Sequence, residues 1–165
     1  MALSPALQII GKMKDTLVGR AVGILIAEGS DGATIKKIKK AATDAGATVK
    51  IIAPKVGGAK LADGLMLAAD GQLAGTPSVL FDAVAVILSD EGAKALAQES
   101  AAIDFVRDAF GHLKAIAVDQ GGQALLKKSN IGQDAGVIDT HDKDAFIAAA
   151  KTRQWDREEL VRTLA

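Results

Sequence analysis

Apolar residues in this chain gather in short unbroken runs, and between the runs they recur every three or four positions. Arg20 to Ala27, Thr48 to Ala53, Phe81 to Leu88 and Lys114 to Val118 are the continuous runs, as expected of strands buried on both faces. Gly136-Val137-Ile138 is a shorter fifth. Ile35, Ile38, Ala42 and Ala45 fall at helical spacing, which leaves Lys36, Lys37, Lys39 and Lys40 on a solvated opposite face. Ser30 or Asp31 stands where that helix needs a cap, and Gly46 where a left-handed residue would end it. Helical spacing also covers Ala93 to Gln98 and Ala101 to Leu113, with Ile103, Val106 and Phe110 on one face. Ala145, Ile147, Ala148 and Ala149 predict a last helix running on toward Trp155. Pro54 stops the second run, and from Leu61 to Ala74 short apolar pieces alternate with Asp63-Gly64 and Asp70-Gly71. Both are hairpin-turn signals, and they predict a small β excursion at the sheet edge.

Strand, helix and strand at these intervals require a parallel sheet with right-handed crossovers and helices on both faces. The expected fold class is therefore α/β: a three-layer α/β/α, flavodoxin-like parallel sheet with a small β-hairpin excursion. At 165 residues, 49% hydrophobic and with a mean hydropathy of +0.22, the chain suits one domain with a substantial core. Twenty basic and twenty acidic side chains cancel, so nucleic acid is not an expected partner. No apolar run approaches the length of a membrane span, and a chain without cysteine fits a reducing, cytoplasmic location. Leu3, Leu7, Ile9, Ile10 and Met13 form an apolar lead whose Lys12 and Lys14 follow it, whereas a secretory leader carries its charges first. Leu3 to Leu17 reads as a docking arm and Met1 as an added start, which divides the chain into an arm at 1–19 and a domain at 20–165.

Lys114 to Leu126 breaks from an apolar run through a glycine pair into a helical pattern. In open α/β folds such a bend, at the carboxyl end of a strand, is where ligands and nucleophiles sit. Here the bend offers Asp119, a carboxylate facing a helix N-terminus and a poor nucleophile unless activated. Glu28-Gly29-Ser30-Asp31-Gly32 departs from dinucleotide-binding glycine spacing, and its carboxylates would repel a pyrophosphate. His112 ends one predicted helix and His141 starts another, positions that suit capping or surface roles.

The elbow after the fourth strand, the hairpin before Phe81-Asp82-Ala83 and the five-strand order resemble the PfpI-like branch of the class I glutamine amidotransferase fold. More closely, several pieces resemble the C-terminal domain of the large-subunit haem catalases. They are Ser4 to Ile10, Gly19 to Leu25, Pro77 to Ala83, His112-Leu113-Lys114 and Arg153-Gln154-Trp155, in order along nearly the whole chain. The first resemblance places Asp119 where that family has its nucleophilic cysteine and Thr34 near its supporting glutamate. It puts His141 roughly where some members have a base. Protease, deglycase and glyoxalase activities are therefore not expected to be inherited. The second implies a domain appended to a catalase that disproportionates hydrogen peroxide in oxidative-stress defence. Its arm would lead from the catalase core, and its partners would be that core and the neighbouring subunits of a homotetramer. Haem would lie in the core, on a tyrosine oxygen with a distal His and Asn nearby.

Three function classes follow. The first is a noncatalytic accessory domain, with no cofactor of its own, contributing stability, subunit packing or control of access to the core. The second is a free-standing chaperone-like or small-molecule-binding module, whose clients would be unfolded proteins. The third is a hydrolase or glyoxalase-type enzyme using Asp119 with His141. Because the chain contains no tyrosine, it should purify colourless when expressed alone and leave hydrogen peroxide unchanged. A stoichiometric Soret band in its absorption spectrum would contradict this.

Overall fold

The computed structural model describes residue 4 and residues 8–163; Leu3 and Leu7 of the expected arm lie outside the described residues. The elements run β1 (Ala21–Ile26), α1 (Gly32–Asp44), β2 (Thr48–Ala53), β3 (Ala59–Lys60), β4 (Met66–Leu67), β5 (Gly71–Gln72), β6 (Ala83–Ile87) and α2 (Asp90–Leu96). They continue with α3 (Ser100–Gly111), β7 (Ile116–Val118), α4 (Gln120–Lys128), β8 (Val137–Asp139), α5 (Lys143–Ala150) and α6 (Glu158–Arg162). The main sheet is ordered β5-β2-β1-β6-β7-β8 and is parallel throughout. From central β1 the chain moves outward to β2 and then returns to β6 on the other side, so the order reverses between β1 and β6. This is the expected three-layer, flavodoxin-like α/β architecture.

The unbroken apolar runs fill the centre: all five residues of β6 are buried. Alternate residues of each strand point to opposite faces and feed two cores. Leu25, Val84 and Val86 pack with Phe105 and Phe110 of α3 and with Leu125 and Leu126 of α4. Ile24, Ile26, Ala83 and Ile87 pack with Ile35 and Ile38 of α1 and Phe146 of α5. Asp31, one of the two expected caps, holds the N-terminus of α1, and Gly46 follows its end at a φ of +98°. Ser30 is buried instead, accepting from the Ala27 amide and donating to the Ile87 carbonyl.

Three expectations are corrected, and one, the inward face of α3, is widened. Asp63-Gly64 does turn a hairpin, β3 with β4, but Asp70-Gly71 leads into β5, which adds to β2 in parallel. The Asp70 carboxylate and amide both bond the backbone of Ile51, so they extend the ladder rather than reverse it. On α3 the inward face is Ala102, Phe105, Val106, Ala109 and Phe110, and Ile103 is only partly covered. The last long helix stops at Ala150, and Trp155 opens a 3-10 turn over Trp155–Arg157. Finally Leu17, read as the end of the docking arm, is fully buried with Ile24, Ile35 and Ala42 in this domain's own core.

Leu17→Ala should therefore lower unfolding stability by about 2–5 kcal/mol, the scale of a buried leucine truncated to a cavity. Ile9→Ala, at an exposed position, should stay within about 0.5 kcal/mol. Urea titration of the two variants checks the contrast.

Candidate functional site at the carboxyl end of the sheet

Asp119 leaves β7 with extended dihedrals, φ −90° and ψ −171°, and caps α4. Its Oδ1 accepts from the Gly122 amide at 2.8 Å, and the Leu88 amide donates to both carboxylate oxygens at 3.1 Å. The carboxylate thus ties the end of β6 to the start of α4. The glycine pair after it serves packing: a Cβ on Gly121 would lie 2.0 Å from the Leu88 carbonyl oxygen, and one on Gly122 2.2 Å from that of Val86. Only bare backbone lets α4 sit this close to β6. Burial pushes the Asp119 carboxyl above its ordinary pKa of 3.8, against the pull of the Gly122 and Leu88 amides.

Thr34 is engaged at the other helix start, where its hydroxyl and its amide both donate to Asp31 Oδ2. These bonds, the hydroxyl first, hold Asp31 below the ordinary carboxylate value. His141 is exposed, with Nδ1 2.6 Å from Asp139 Oδ1 and its amide donating to the same oxygen at 2.7 Å. The amide bond, then the ring, keeps Asp139 low. Asp119 and His141 do line one open hollow of about 480 Å3, together with Gln120, Gln123, Gln133 and Asp139, and Thr34 does not join it. Within that hollow the imidazole is paired with Asp139, and Asp119 is turned to backbone amides.

Two features carried no signal in the pattern. One is a second hollow, about 370 Å3, lined by Ala27, Glu28, Pro54, Ala59, Gly92 and Leu96. It lies at the carboxyl ends of β1 and β2, beside the point where strand order reverses, the usual ligand position in open α/β sheets. Its wall comes from segments far apart in sequence. The other is a buried polar cluster at the opposite, amino end. The Lys114 ammonium donates to the Ser78 carbonyl at 2.7 Å, and burial, then the charge of Arg153, lowers its pKa to about 8. Arg157, 3% exposed, makes a two-pronged pair with Asp134, donates to the Lys114 carbonyl at 2.7 Å and lies 4.3 Å over the Phe110 ring.

The chain has no tyrosine, the haem-iron ligand that the resemblance implies for the catalase core, and its two histidines are exposed on separate segments, His112 at the end of α3 and His141 after β8. Among the described residues no three His, Cys, Asp or Glu side chains are grouped to hold a metal ion, and no helix is long and apolar enough to cross a membrane.

A family model for the C-terminal domain found in long catalases matches residues 18–157. Catalase C of Rhizobium meliloti is 40% identical over 96% of this chain, and Catalase HPII of Pseudomonas aeruginosa 30% identical over 98%. The match takes up 23% of each relative, so the chain spans about a quarter of their length. Among solved structures, the fold is similar to a two-domain protein with DJ-1/ThiJ/PfpI-like and ferritin-like domains from Anabaena variabilis. The TM-score is 0.63 at 20% identity, covering 70% of this chain and 33% of that one. The VC2308 protein gives a TM-score of 0.61 at 23% identity, covering 68% and 58%.

Asp119→Asn keeps an acceptor oxygen and should change stability at neutral pH by about 1 kcal/mol or less. Because the folded-state pKa of Asp119 is raised, its stabilising contribution is complete below 3.8 and is lost as pH rises through the higher folded value. The parent's advantage over the Asn variant should accordingly shrink from acid to neutral pH, and parallel urea midpoints across that range would contradict this. Gly122→Ala should cost more, about 1–3 kcal/mol, from overpacking against β6.

Proposed function

Because the chain belongs to the family of C-terminal domains found in long catalases, we propose that it is a noncatalytic accessory domain of such an enzyme. In this reading haem and peroxide disproportionation belong to the catalase core. The domain contributes stability, subunit packing or access control, and its partners are that core and the neighbouring subunits of a homotetramer. The observation that carries the reading is how the elbow carboxylate is used. Asp119 has ordinary extended backbone and gives its oxygens to the Leu88 and Gly122 amides. The His141 imidazole that shares its hollow is bonded through Nδ1 to Asp139. With its oxygens committed to backbone amides, Asp119 serves the fold, which supports an accessory rather than a catalytic role. The hollow at the strand-order reversal, where Ala27, Pro54, Ala59 and Leu96 meet the charged Glu28, Lys55, Glu91 and Glu99, favours one second reading, a small-molecule-binding module on the same fold.

Removing the aligned quarter from Rhizobium meliloti Catalase C tests the proposal. The shortened enzyme should keep its initial peroxide turnover per bound haem and lose resistance to heat or subunit dissociation. Turnover that collapses while haem stays bound would overturn the accessory reading.

A further inference from the structure

We infer that this domain seats on the catalase core through the amino-end face of its sheet, with Ile10, Leu80 and Leu160 among the apolar contacts. The inference rests on the accessory-domain reading and adds to it which surface is covered and by what.

Three independent features meet on that face. The first is exposed apolar surface. Among the described residues, the large hydrophobics more than half exposed include Ile9, Ile10, Val18, Val79, Leu80 and Leu160. Val18 and Ile10 belong to the segment entering β1. Val79 and Leu80 form the 3-10 turn just before β6, and Leu160 is on α6. The remaining such residues, Val56, Leu65 and Met66, lie about the β3–β4 hairpin beyond the carboxyl end. The second feature is shape. Leu160 lines two hollows at once. One, about 730 Å3, lies against the ends of α3 and α4 at Phe110 and Ile131; the other, about 480 Å3, is shared with Ile10 and Trp155. Apolar side chains bordering concave ground are what a packed interface needs at its centre.

The third feature says what covers the face. The relatives are about four times as long as this chain, and it matches the family of their C-terminal domain, so the core precedes it. The chain reaches β1 along the amino-end face and is fixed there. The Arg20 guanidinium donates to the Lys14 carbonyl and to those of Ala150 and Lys151 at the end of α5, and Lys151 pairs with Asp15 at 3.2 Å. A core joined through this anchored segment is delivered to the amino-end face and away from the hairpin.

The chain has no cysteine, so single Leu80→Cys, Leu160→Cys and Leu65→Cys variants can be followed by maleimide labelling and mass spectrometry. Each is measured in the isolated chain and in Rhizobium meliloti Catalase C whose aligned quarter is replaced by this chain. The expected result is that labelling at 80 and 160 slows by about tenfold or more in the chimera, as for a site that must open locally to react, while 65 keeps its rate. Slowing at 65 alone overturns the choice of face and leaves the accessory reading standing. Undiminished labelling at all three in an intact, haem-loaded chimera overturns both. Should the graft not assemble, the same substitutions at the aligned positions of Catalase C itself, labelled in the native and the unfolded enzyme, give the same decision.

Discussion

The amino end of this domain hangs on one buried guanidinium. Arg157 bonds Asp134 ahead of β8, the carbonyl that opens β7 and, through its flat face, the Phe110 ring on α3. It thereby ties together four segments that share no continuous helix or strand. A buried charge is costly unless every donor finds a partner, and removing one member of such a pair costs about 3–5 kcal/mol. The segment around Arg157 is therefore clamped to the sheet, and the strands beneath it begin from a fixed base.

That clamp was hidden from the sequence, and the reason is physical. Strands buried on both faces are written as unbroken apolar runs, and helices with one wet face as a three-to-four repeat, so β1, β2 and α1 could be read within a residue or so, while β6 begins two residues after its run does. Leu17 could not, because in an apolar lead that also carries Ile9, Ile10 and Met13 a leucine looks the same whether it anchors the domain or reaches for a partner. Asp70-Gly71 failed for a related reason: an Asp-Gly pair announces a change of direction, and whether that change closes a hairpin depends on Ile51 of β2, 19 residues earlier. Arg157 and Asp134 are an ordinary pair of charges until tertiary contacts bury them.

At the candidate site the identity of Asp119 and its place at a strand-to-helix bend were legible, and its bonding was not. The residues chosen with it are reached by three different local rules. Thr34 supports a cap, His141 pairs two residues back along the chain, and Asp119 bridges strand to helix. Each side chain makes a structural bond of its own: Thr34 to Asp31, His141 to Asp139, and Asp119 to the Leu88 and Gly122 amides.

The glycine pair under Asp119 has a consequence for how this domain can change. With α4 drawn to within a missing methyl of β6, the amides of Leu88 and Gly122 are oriented toward a carboxylate two bonds beyond Cβ. A thiol or hydroxyl at 119 ends one bond short and cannot bridge both donors, leaving a buried amide unpaired at about 1–3 kcal/mol. A nucleophile at this bend would therefore come at the expense of the tie between β6 and α4 that the carboxylate now makes.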